Sequence, residues 1–588
     1  MSIFEDIKTY PNDKVVKAIP VIKLSAPEAL DYFMQGEQYC TTELPRYFSF
    51  DQVLKFSRDK IKQKDLDECI ENGKNPENIK GVNFEVISNK DGRYGVRPLT
   101  LANPFLYYMM VRDICEESNW KNIQECFKYF GSQNIEATAL PLKKEENAKE
   151  AFKNSTAILN WWNKFEQQSI EFALKYRYMF VTDITNCFGQ INPESISWAL
   201  SRNDTPFSTE ENNNLAEKIK RYLRSMQHGR NMGIPQGSKL FGFIAEIILG
   251  YADMLLAQKI EEAKNKDPKE NDSLPQNLKY NILRHVDDYR IFCSDRDALE
   301  KISYILQNIL ERLNFRMNTS KTKVTTDVLA ESIKPDKRFY IFNTPIENKQ
   351  AYRDQKDFEK TPCYDFDSFQ KHLLFIYEFG RKFPNSGSII TLLDAFNKRL
   401  TNFLGLDTKL ISIDKKTEEN NTIKEEPIQE MGKNKGEDKW IPGGNKSVLV
   451  SIAVQIAADN VRATHLALKT ASLILESMKE EENNQRKKLI GLIYEKLRSL
   501  PNSSITQIWL QHITNETDDW SHAKNEPYDM PLCKLVAGKE IEIWNNSWLK
   551  QGVREGFPLQ SIVDRKIQKG NGSVIDFDLR YDEVRSHY

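Results

Sequence analysis

The chain is 588 residues long, which exceeds the usual size of one domain and predicts two or more hydrophobic cores. Its 83 basic and 84 acidic side chains give a formal net charge of −1, which excludes a uniformly basic nucleic-acid-coating protein but allows a local basic groove. The eight cysteines include no Cys-x-x-Cys pair, which argues against structural zinc and against a disulfide framework.

The amino terminus bears on the compartment. Met1–Asp6 offers neither the basic region nor the apolar core of a secretion signal, and no run of 18 apolar residues follows. We therefore expect a soluble, cytoplasmic protein without a membrane partner.

The first informative element along the chain is an apolar run that ends on a carboxylate. Tyr178–Val181 is followed by Thr182 and Asp183, and the chain then turns toward a predicted helix. A buried strand of this kind delivers Asp183 at its carboxyl end. The alternative is that Asp183 caps the following helix, since aspartate is a preferred N-cap residue.

The next element is a glycine-rich loop before a helix. Gly233–Ser238 contains two glycines and a proline, and the apolar-rich segment Leu240–Leu256 follows it. Such a backbone can approach a ligand closely, with Gln236 as a hydrogen-bonding reader. A purely structural loop at the start of a core helix is the alternative.

The third element is a pair of adjacent carboxylates. Asp287 and Asp288 lie between the segments 281–284 and 289–292, whose residues can alternate as strands, which predicts a hairpin with both carboxylates at its tip. Like charges this close repel, so the pair favours a divalent cation. An ordinary Asp-rich turn is the alternative for an isolated pair. With Asp183 beside them, three carboxylates would hold two Mg²⁺ ions roughly 3.5–4 Å apart for phosphoryl transfer.

Together these segments resemble the palm motifs of reverse transcriptases, in the order that the family has them. The strand with Asp183 is similar to the first catalytic motif, Gly233–Ser238 to the second, and His285–Asp288 to the Tyr-x-Asp-Asp box. The resemblance extends upstream to the fingers segment, Arg97–Pro104, and downstream to the Leu-Asn-x-x-Lys-Thr element, Leu313–Lys323. Five motifs in the correct order make a chance match unattractive.

One position departs from the family pattern. His285 stands where the family usually has Tyr or Phe. A histidine there can still pack beside a primer terminus, so we interpret it as a feature of the lineage and not as loss of activity. The context Arg284–Phe292 and the stretch Leu44–Phe50 are similar to bacterial abortive-infection and unknown-group defence reverse transcriptases.

The resemblance implies a set of catalytic residues. Asp183, Asp287 and the backbone carbonyl of Ile184 would bind two Mg²⁺ ions, for which Mn²⁺ can substitute, and Asp288 would support or complete the cluster. Lys321 matches the lysine that protonates departing pyrophosphate in the family.

The resemblance also implies contacts with the incoming nucleotide. Phe188 matches the steric-gate position, where an aromatic ring crowds a ribose 2′-hydroxyl and favours dNTP over NTP. Gln236 and Gly237 would contact the nucleotide.

Basic side chains upstream would bind the triphosphate. Arg97, with Lys90 or Arg93, would do so because guanidinium groups suit phosphate oxygens. Lys90–Arg93 is also typical of an ordinary basic hairpin turn, so Arg97 carries more weight than the other two.

The second half of the chain predicts helices. Apolar periodicity marks six of them: Phe369–Phe379, Ile389–Phe403, Ser447–Ala458, Thr464–Met478, Leu489–Leu497 and Ile505–Ile513. Their succession suggests an α-solenoid or an irregular bundle, without a fixed-period repeat. The segment 414–439 is rich in Glu, Lys and Asn and predicts a flexible, solvated insertion. The resemblance implies that such helices replace an ordinary thumb.

The expected fold class is an α+β right-hand fingers-palm polymerase domain followed by an all-α, helical-repeat-like carboxy-terminal domain. Residues 1–75 would extend the fingers, and 76–340 would form the fingers and palm. Residues 341–588 would form the helical, thumb-replacing domain with its flexible insertion at 414–439.

The leading functional hypothesis is a Mg²⁺-dependent DNA polymerase of the reverse-transcriptase family that acts in defence against phage. The alternatives are a catalytically silent nucleic-acid-binding scaffold and an abortive-infection effector that acts mainly through its helical domain. The implied partners are dNTPs, an RNA template or an associated non-coding RNA, the DNA product, and a second copy or a companion protein. The motifs do not separate RNA copying from template-independent addition, or a nucleic-acid primer from a protein hydroxyl.

Overall fold

The computed structural model describes most of the chain. Described are residues 18–89, 95–144, 161–201, 210–343, 369–384, 386–404, 445–478, 480–514 and 528–565. Lys90, Arg93 and the predicted insertion 414–439 lie outside the described residues.

The strands and helices within these ranges are numbered in chain order. The strands are β1 (Ala18–Pro20), β2 (Phe84–Asn89), β3 (Val96–Leu101), β4 (Ile135–Ala137), β5 (Leu142–Lys144), β6 (Tyr178–Asp183), β7 (Tyr280–His285), β8 (Asp288–Cys293) and β9 (Lys323–Thr325). The helices are α1 (Ala26–Phe33), α2 (Gly36–Tyr39), α3 (Asp51–Ile61), α4 (Leu66–Cys69), α5 (Pro104–Ile114), α6 (Glu117–Phe130), α7 (Gln167–Phe172), α8 (Cys187–Gln190), α9 (Glu194–Ser201), α10 (Glu210–Met226), α11 (Lys239–Lys264), α12 (Arg296–Arg312), α13 (Val328–Ser332), α14 (Pro335–Asn343), α15 (Phe369–Lys382), α16 (Ser388–Leu404), α17 (Lys446–Asp459), α18 (Thr464–Glu476), α19 (Asn483–Arg498), α20 (Ser504–Thr514), α21 (Pro531–Val536) and α22 (Gln551–Arg554).

A five-stranded sheet in the order β4-β7-β8-β6-β9 carries the predicted carboxylates. β7, β8, β6 and β9 pair antiparallel, and β4 joins β7 in parallel. Successive residues of a strand point to opposite faces, so the β7–β8 hairpin has two buried faces. Ile282 and Ile291 join the main core on one face, and Leu283 and Phe292 pack with Phe165 on the other.

Helix α11 supports the first of these faces. Ser238 caps it, because its side-chain oxygen accepts a hydrogen bond from the backbone N–H of Phe241 at 3.3 Å. Within the described residues it is the one helix long and apolar enough to cross a membrane by length and composition alone. However, 83% of its apolar window is buried inside the protein, as in the core helix of a soluble protein. It packs against α6, α9 and α12.

A second layer precedes the sheet in sequence. β2 and β3 form an antiparallel hairpin, and the chain then enters α5 through Asn103 and Pro104. The Asn103 side chain accepts a hydrogen bond from the backbone N–H of Phe105 at 3.1 Å, and Pro104 takes the first helical position, where its missing N–H is not needed. Helix α5 is almost entirely buried and packs against α3.

The structure confirms the six helices predicted in the second half, as α15 to α20. The largest difference is at α19, which begins at Asn483 and not at Leu489, because its polar first turns lie outside the apolar stripe. Helix α17 packs against α15, α18 and α19, and α18 packs against α16 and α20. These helices therefore pack as a bundle of neighbours, while the predicted domain boundaries stay predictions.

The chain after α21 returns to the amino-terminal residues. Ile70 and Leu549 form an antiparallel bridge, and Trp544 Nε1 donates a hydrogen bond to the carbonyl of Leu101 at 3.0 Å. Trp509, Trp544 and Trp548 are buried, with relative exposures of 0%, 1% and 0%. All three belong to the main core, which they share with residues of the amino-terminal helices.

Candidate active site

The sheet brings the predicted metal-binding segments to one edge. β6 and β8 pair antiparallel with Asp183 opposite Asp288. The backbone N–H of Ile184 donates a hydrogen bond to the carbonyl of Asp287 at 3.0 Å. The structure therefore places the end of the predicted strand and the tip of the predicted hairpin side by side.

The hairpin is confirmed, with one correction to its turn. His285 pairs with Asp288, so the two-residue turn is Val286–Asp287, and Asp288 is the first residue of β8. Val286 has a φ of 53°, in the left-handed region that β-branched residues rarely adopt. The turn that presents Asp287 is therefore strained, and its surroundings must hold it in place.

Asp183 is buried beside a lysine. Its side chain is 9% exposed, and Oδ2 accepts a hydrogen bond from Lys321 Nζ at 2.6 Å. Its other oxygen, Oδ1, is buried and has no hydrogen-bond partner within the described part of the chain. The backbone carbonyl of Asp183 accepts from the N–H of Asn318 at 2.8 Å, which ties the Lys321 turn to the end of β6.

The two hairpin carboxylates differ in their surroundings. Burial, and then the negative charges of Asp288 and Asp183, raise the pKa of Asp287 to about 7. Asp288 Oδ2 lies 3.9 Å from Lys334 Nζ. Like charges and burial therefore disfavour the ionised form of Asp287, and a nearby cation would favour it.

The donor set fits a divalent cation in its chemistry. Three carboxylates lie at one edge, one oxygen of Asp183 is buried without a partner, and carboxylates are the ligands that hard cations prefer. Across the described residues, however, no three His, Cys, Asp or Glu side chains are gathered as a ready group of metal ligands. The described partners of Asp183 and Asp288 are lysines, with Lys321 Nζ at 2.6 Å and Lys334 Nζ at 3.9 Å.

His285 is half-buried and packs beside Thr138 and Phe165. Its Nδ1 lies 2.9 Å from Thr138 Oγ1, and its ring centroid is 5.9 Å from that of Phe165. Burial lowers the pKa of His285 to about 4, so the ring is neutral near pH 7. Contact of His285 with a primer stays a prediction.

The predicted nucleotide-binding loop lies against the turn that follows Asp183. The N–H of Gly233 donates to the carbonyl of Ile191 at 2.7 Å, and the N–H of Ile234 donates to the carbonyl of Phe188 at 2.9 Å. On its other side, the carbonyl of Gln236 accepts from the N–H of Thr100 in β3. The loop therefore joins β3 to the half-buried Phe188.

Gly237 is required by two features of this contact. Its φ is 138°, and a Cβ there would lie 2.7 Å from the carbonyl oxygen of Thr100, which is closer than real Cβ atoms approach backbone. We expect Gly237→Ala to destabilise the protein by about 1–3 kcal/mol and to raise the KM for dNTP. Urea unfolding and steady-state kinetics measure both effects.

Gly242→Ala is the matched control. Gly242 lies in α11 with nothing within 4 Å of a Cβ, so alanine there is expected to be neutral or stabilising by up to about 1 kcal/mol. Equal stability and KM in the two variants would contradict the contact between the loop and β3.

Of the three residues predicted to bind the triphosphate, the structure describes only Arg97. Arg97 lies in β3, three residues before Thr100, and is half-buried. Lys90 and Arg93 lie outside the described residues, although the strands on either side of them pair as the predicted hairpin. Arg97 is therefore the one of the three that the structure places on the strand contacting the loop.

A buried ion network behind the hairpin was missed by the sequence reasoning. Arg284 is 0% exposed, and its guanidinium donates to Glu246 at 2.9 and 3.1 Å and to Asp253 at 2.8 Å. Tyr289 OH donates to the other oxygen of Asp253 at 3.1 Å. The available signals were an arginine inside an apolar strand and two acids seven residues apart in an apolar helix, a spacing that puts them on one face.

Comparison with known proteins gives one family match. Residues 134–405 match the family model described as "Reverse transcriptase (RNA-dependent DNA polymerase)". The matched range includes Asp183, Asp287, Asp288 and Lys321, and begins downstream of Arg97. No curated protein matches the chain.

Solved structures that resemble the chain include telomerases. Apo telomerase from Candida tropicalis is 12% identical, with 83% of this chain and 74% of that chain covered and a TM-score of 0.28. Telomerase from Candida albicans with a fragment of telomeric RNA is 11% identical, with 78% and 67% covered and a TM-score of 0.26. The Candida tropicalis enzyme truncated from the C-terminal domain is 15% identical with a TM-score of 0.27, and this chain covers 49% of its length. The family match therefore covers residues 134–405, which is less than half of the chain.

Proposed function

We propose that the chain is a Mg²⁺-dependent DNA polymerase of the reverse-transcriptase family that acts in defence against phage, because residues 134–405 match the family model of RNA-dependent DNA polymerases. The observation that carries the proposal is the edge of the central sheet, where Asp183 pairs with Asp288 and Ile184 bonds to Asp287. Phosphoryl transfer depends on positioning and charge stabilisation, and the carboxylates at this edge would position the cations that supply the charge stabilisation.

Reverse transcriptases generally use divalent metal ions, and we propose Mg²⁺ here. Asp183, Asp287, Asp288 and the carbonyl of Ile184 would hold the ions, which would stabilise the charge on the attacking and leaving oxygens. The residues themselves do the rest of the positioning. The strained Val286–Asp287 turn presents the carboxylate of Asp287, and β6 presents the carboxylate of Asp183 at its carboxyl end.

Lys321 is proposed as the proton donor to departing pyrophosphate. Its side chain is 59% exposed and its ammonium lies 2.6 Å from Asp183 Oδ2. A cationic N–H donor next to the reacting phosphate can neutralise the leaving oxygen by transferring a proton.

The incoming nucleotide is proposed to lie between the loop and β3. The loop contacts Thr100 on one side and Phe188 on the other, and Thr100 lies on β3, the strand that also carries Arg97. Arg97 would bind the triphosphate, because a guanidinium donates paired hydrogen bonds to phosphate oxygens. Lys90 and Arg93 remain candidates for the same role.

We expect Phe188→Ala or Phe188→Val to admit ribonucleotides. Phe188 is half-buried at the turn bonded to Ile234, and removing its ring would remove the group that crowds a 2′-hydroxyl. The measurement is the ratio of dNTP to NTP incorporation efficiency, which should fall by about 10-fold or more. An unchanged ratio would show that sugar selection lies elsewhere.

The division of labour along the chain is also proposed. Residues 1–75 extend the fingers, 76–340 form the fingers and palm, and 341–588 replace the thumb, with the insertion predicted at 414–439 outside the described residues. Supporting this, α15 to α20 form a helical bundle, and Trp509 Nε1 in α20 donates to the carbonyl of Glu43 at 3.2 Å. The helices thus contact the amino-terminal part directly.

The defence role is supported by the sequence context around the hairpin and by the helical second half. Templates consistent with the site are RNA, an associated non-coding RNA, or none, and the primer is a nucleic acid or a protein hydroxyl. The remaining proposed partners are a second copy or a companion protein, and the proposed location is the cytoplasm.

Sequencing the nucleic acid that copurifies from cells tests the choice of template. We expect DNA whose sequence is complementary to one RNA in the same preparation, and an Asp183→Asn control that carries no such DNA. Absence of any DNA specific to the wild-type protein would contradict the proposal.

A further inference from the structure

Arg284 connects the catalytic hairpin to the core helix. It lies in β7 opposite Tyr289, on the face of the hairpin that packs toward α11. Glu246 and Asp253 meet it from α11, with side-chain exposures of 2% and 5%. We call Arg284, Glu246, Asp253 and Tyr289 the Arg284 network.

The same guanidinium also reaches the turn. Arg284 Nη1 donates a hydrogen bond to the carbonyl of Val286 at 3.3 Å. Val286 is the residue with positive φ, and Asp287 is next to it. The Arg284 side chain therefore bonds to the strained turn while its own position is fixed by Glu246 and Asp253 of α11.

The positive charge of Arg284 is stable in the core only while Glu246 and Asp253 pair with it. A buried guanidinium without carboxylates would be strongly unfavourable, whereas two carboxylates and a tyrosine hydroxyl satisfy the network. The bidentate contact with Glu246 also sets the orientation of the planar guanidinium. The orientation matters because only one Nη group reaches the Val286 carbonyl.

Helix α11 connects the Arg284 network to the loop that is predicted to bind the nucleotide. It begins directly after the Gly233–Ser238 loop, and Glu246 lies about two turns from Ser238. One rigid helix therefore carries the loop at its start and the partners of Arg284 along its length.

We propose that Arg284, oriented by Glu246 and Asp253, is a positioning residue that fixes the Val286–Asp287 turn relative to the loop at the start of α11. The network does not touch the reacting atoms. It determines the position of the Asp287 carboxylate. That position in turn determines the affinity for the divalent ion and the rate of the chemical step. This inference builds on the proposed function, since it concerns the same carboxylate.

Arg284→Lys is the first test variant. Lysine keeps the positive charge but lacks the planar fork, so it cannot bond Glu246, Asp253 and Val286 together. We expect kcat for dNTP incorporation to fall about 100-fold, as for a small misplacement of a catalytic group, with little change in the KM for dNTP. We also expect the rise in melting temperature on adding Mn²⁺ to the EDTA-treated protein to be small or absent.

Asp113→Asn is the matched control. Asp113 is also a buried carboxylate that accepts from a tyrosine hydroxyl, Tyr222 at 2.7 Å, and from an arginine, Arg112 at 2.7 Å. It lies in α5, away from the hairpin in sequence, and its side-chain partners among the described residues lie on α5 and α10. Asp113→Asn is expected to lower the melting temperature while leaving kcat and the Mn²⁺-induced shift at wild-type values.

Two results would overturn the inference. One is an Arg284→Lys protein with wild-type kcat and a wild-type Mn²⁺ shift, and the other is a wild-type protein that shows no Mn²⁺ shift. If Arg284→Lys does not fold, Glu246→Gln decides by the same two measurements, because it removes the bidentate contact and keeps Asp253. A wild-type protein whose melting temperature rises with Mn²⁺ but that incorporates no nucleotide would contradict the proposed function and not this inference. In that case the Mn²⁺-induced change in melting temperature of the variants still tests the inference.

Discussion

Replacing Asp287 and Asp288 together with asparagine is expected to abolish nucleotide incorporation while leaving the protein folded. Both carboxylates lie at the sheet edge beside Asp183, and losing two of three anionic ligands should lower incorporation by at least about 1,000-fold. The melting temperature in EDTA should stay level or rise, because burial and mutual repulsion disfavour the ionised pair. Primer extension and thermal unfolding measure the two effects.

The control removes an adjacent pair of carboxylates elsewhere. Glu261 and Glu262 are exposed at the end of α11, where they pair with Lys264 and Lys259. Glu261→Gln with Glu262→Gln changes the net charge by the same amount and should leave incorporation unchanged, since exposed ion pairs contribute little. Retained incorporation in the Asp287 and Asp288 double variant would show that these residues do not hold the catalytic metal.

A chain ending near residue 340 is expected to lose polymerisation. It keeps the catalytic motifs but loses α15 to α22. It also loses Trp544 and Trp548, which lie between α21 and α22 and are buried. Trp544 bonds to Leu101 of the amino-terminal layer. Removing a buried tryptophan side chain alone costs about 3–5 kcal/mol, so the truncated chain should also be unstable. Trp544→Ala in the full chain should reproduce much of that instability, measured by urea unfolding.

Deletion of 414–439 is the control for this truncation. This predicted insertion lies outside the described residues, and its composition predicts little contribution to either core. Its removal should leave activity nearly intact. A soluble, fully active truncated polymerase, or an insertion deletion that abolishes activity in a folded protein, would contradict the proposed boundary.

The hairpin and its carboxylates were predictable because local signals specify them. Alternation on both sides of a short acidic turn predicts β7 and β8, and the apolar run before Asp183 predicts β6. The turn lies one residue earlier than the Asp-Asp pair predicts, at Val286–Asp287. A valine with positive φ is not a residue that turn preferences would select.

The partners of Arg284 and the course of residues 541–563 were not predictable in this way. Glu246 and Asp253 precede Arg284 by 38 and 31 residues on a helix whose overall pattern is apolar. Trp544 bonds to Leu101 across 443 residues, in a segment without long regular elements. Such contacts depend on tertiary packing, which periodicity does not encode.

Incorporation of labelled dNTP by the purified full-length protein tests the central claim most directly. With Mg²⁺, the account predicts DNA synthesis that depends on Asp183, Asp287 and Asp288 and stops in EDTA. A folded wild-type protein that incorporates no dNTP, with an RNA template and primer, with its copurified nucleic acid or with no template, would contradict it.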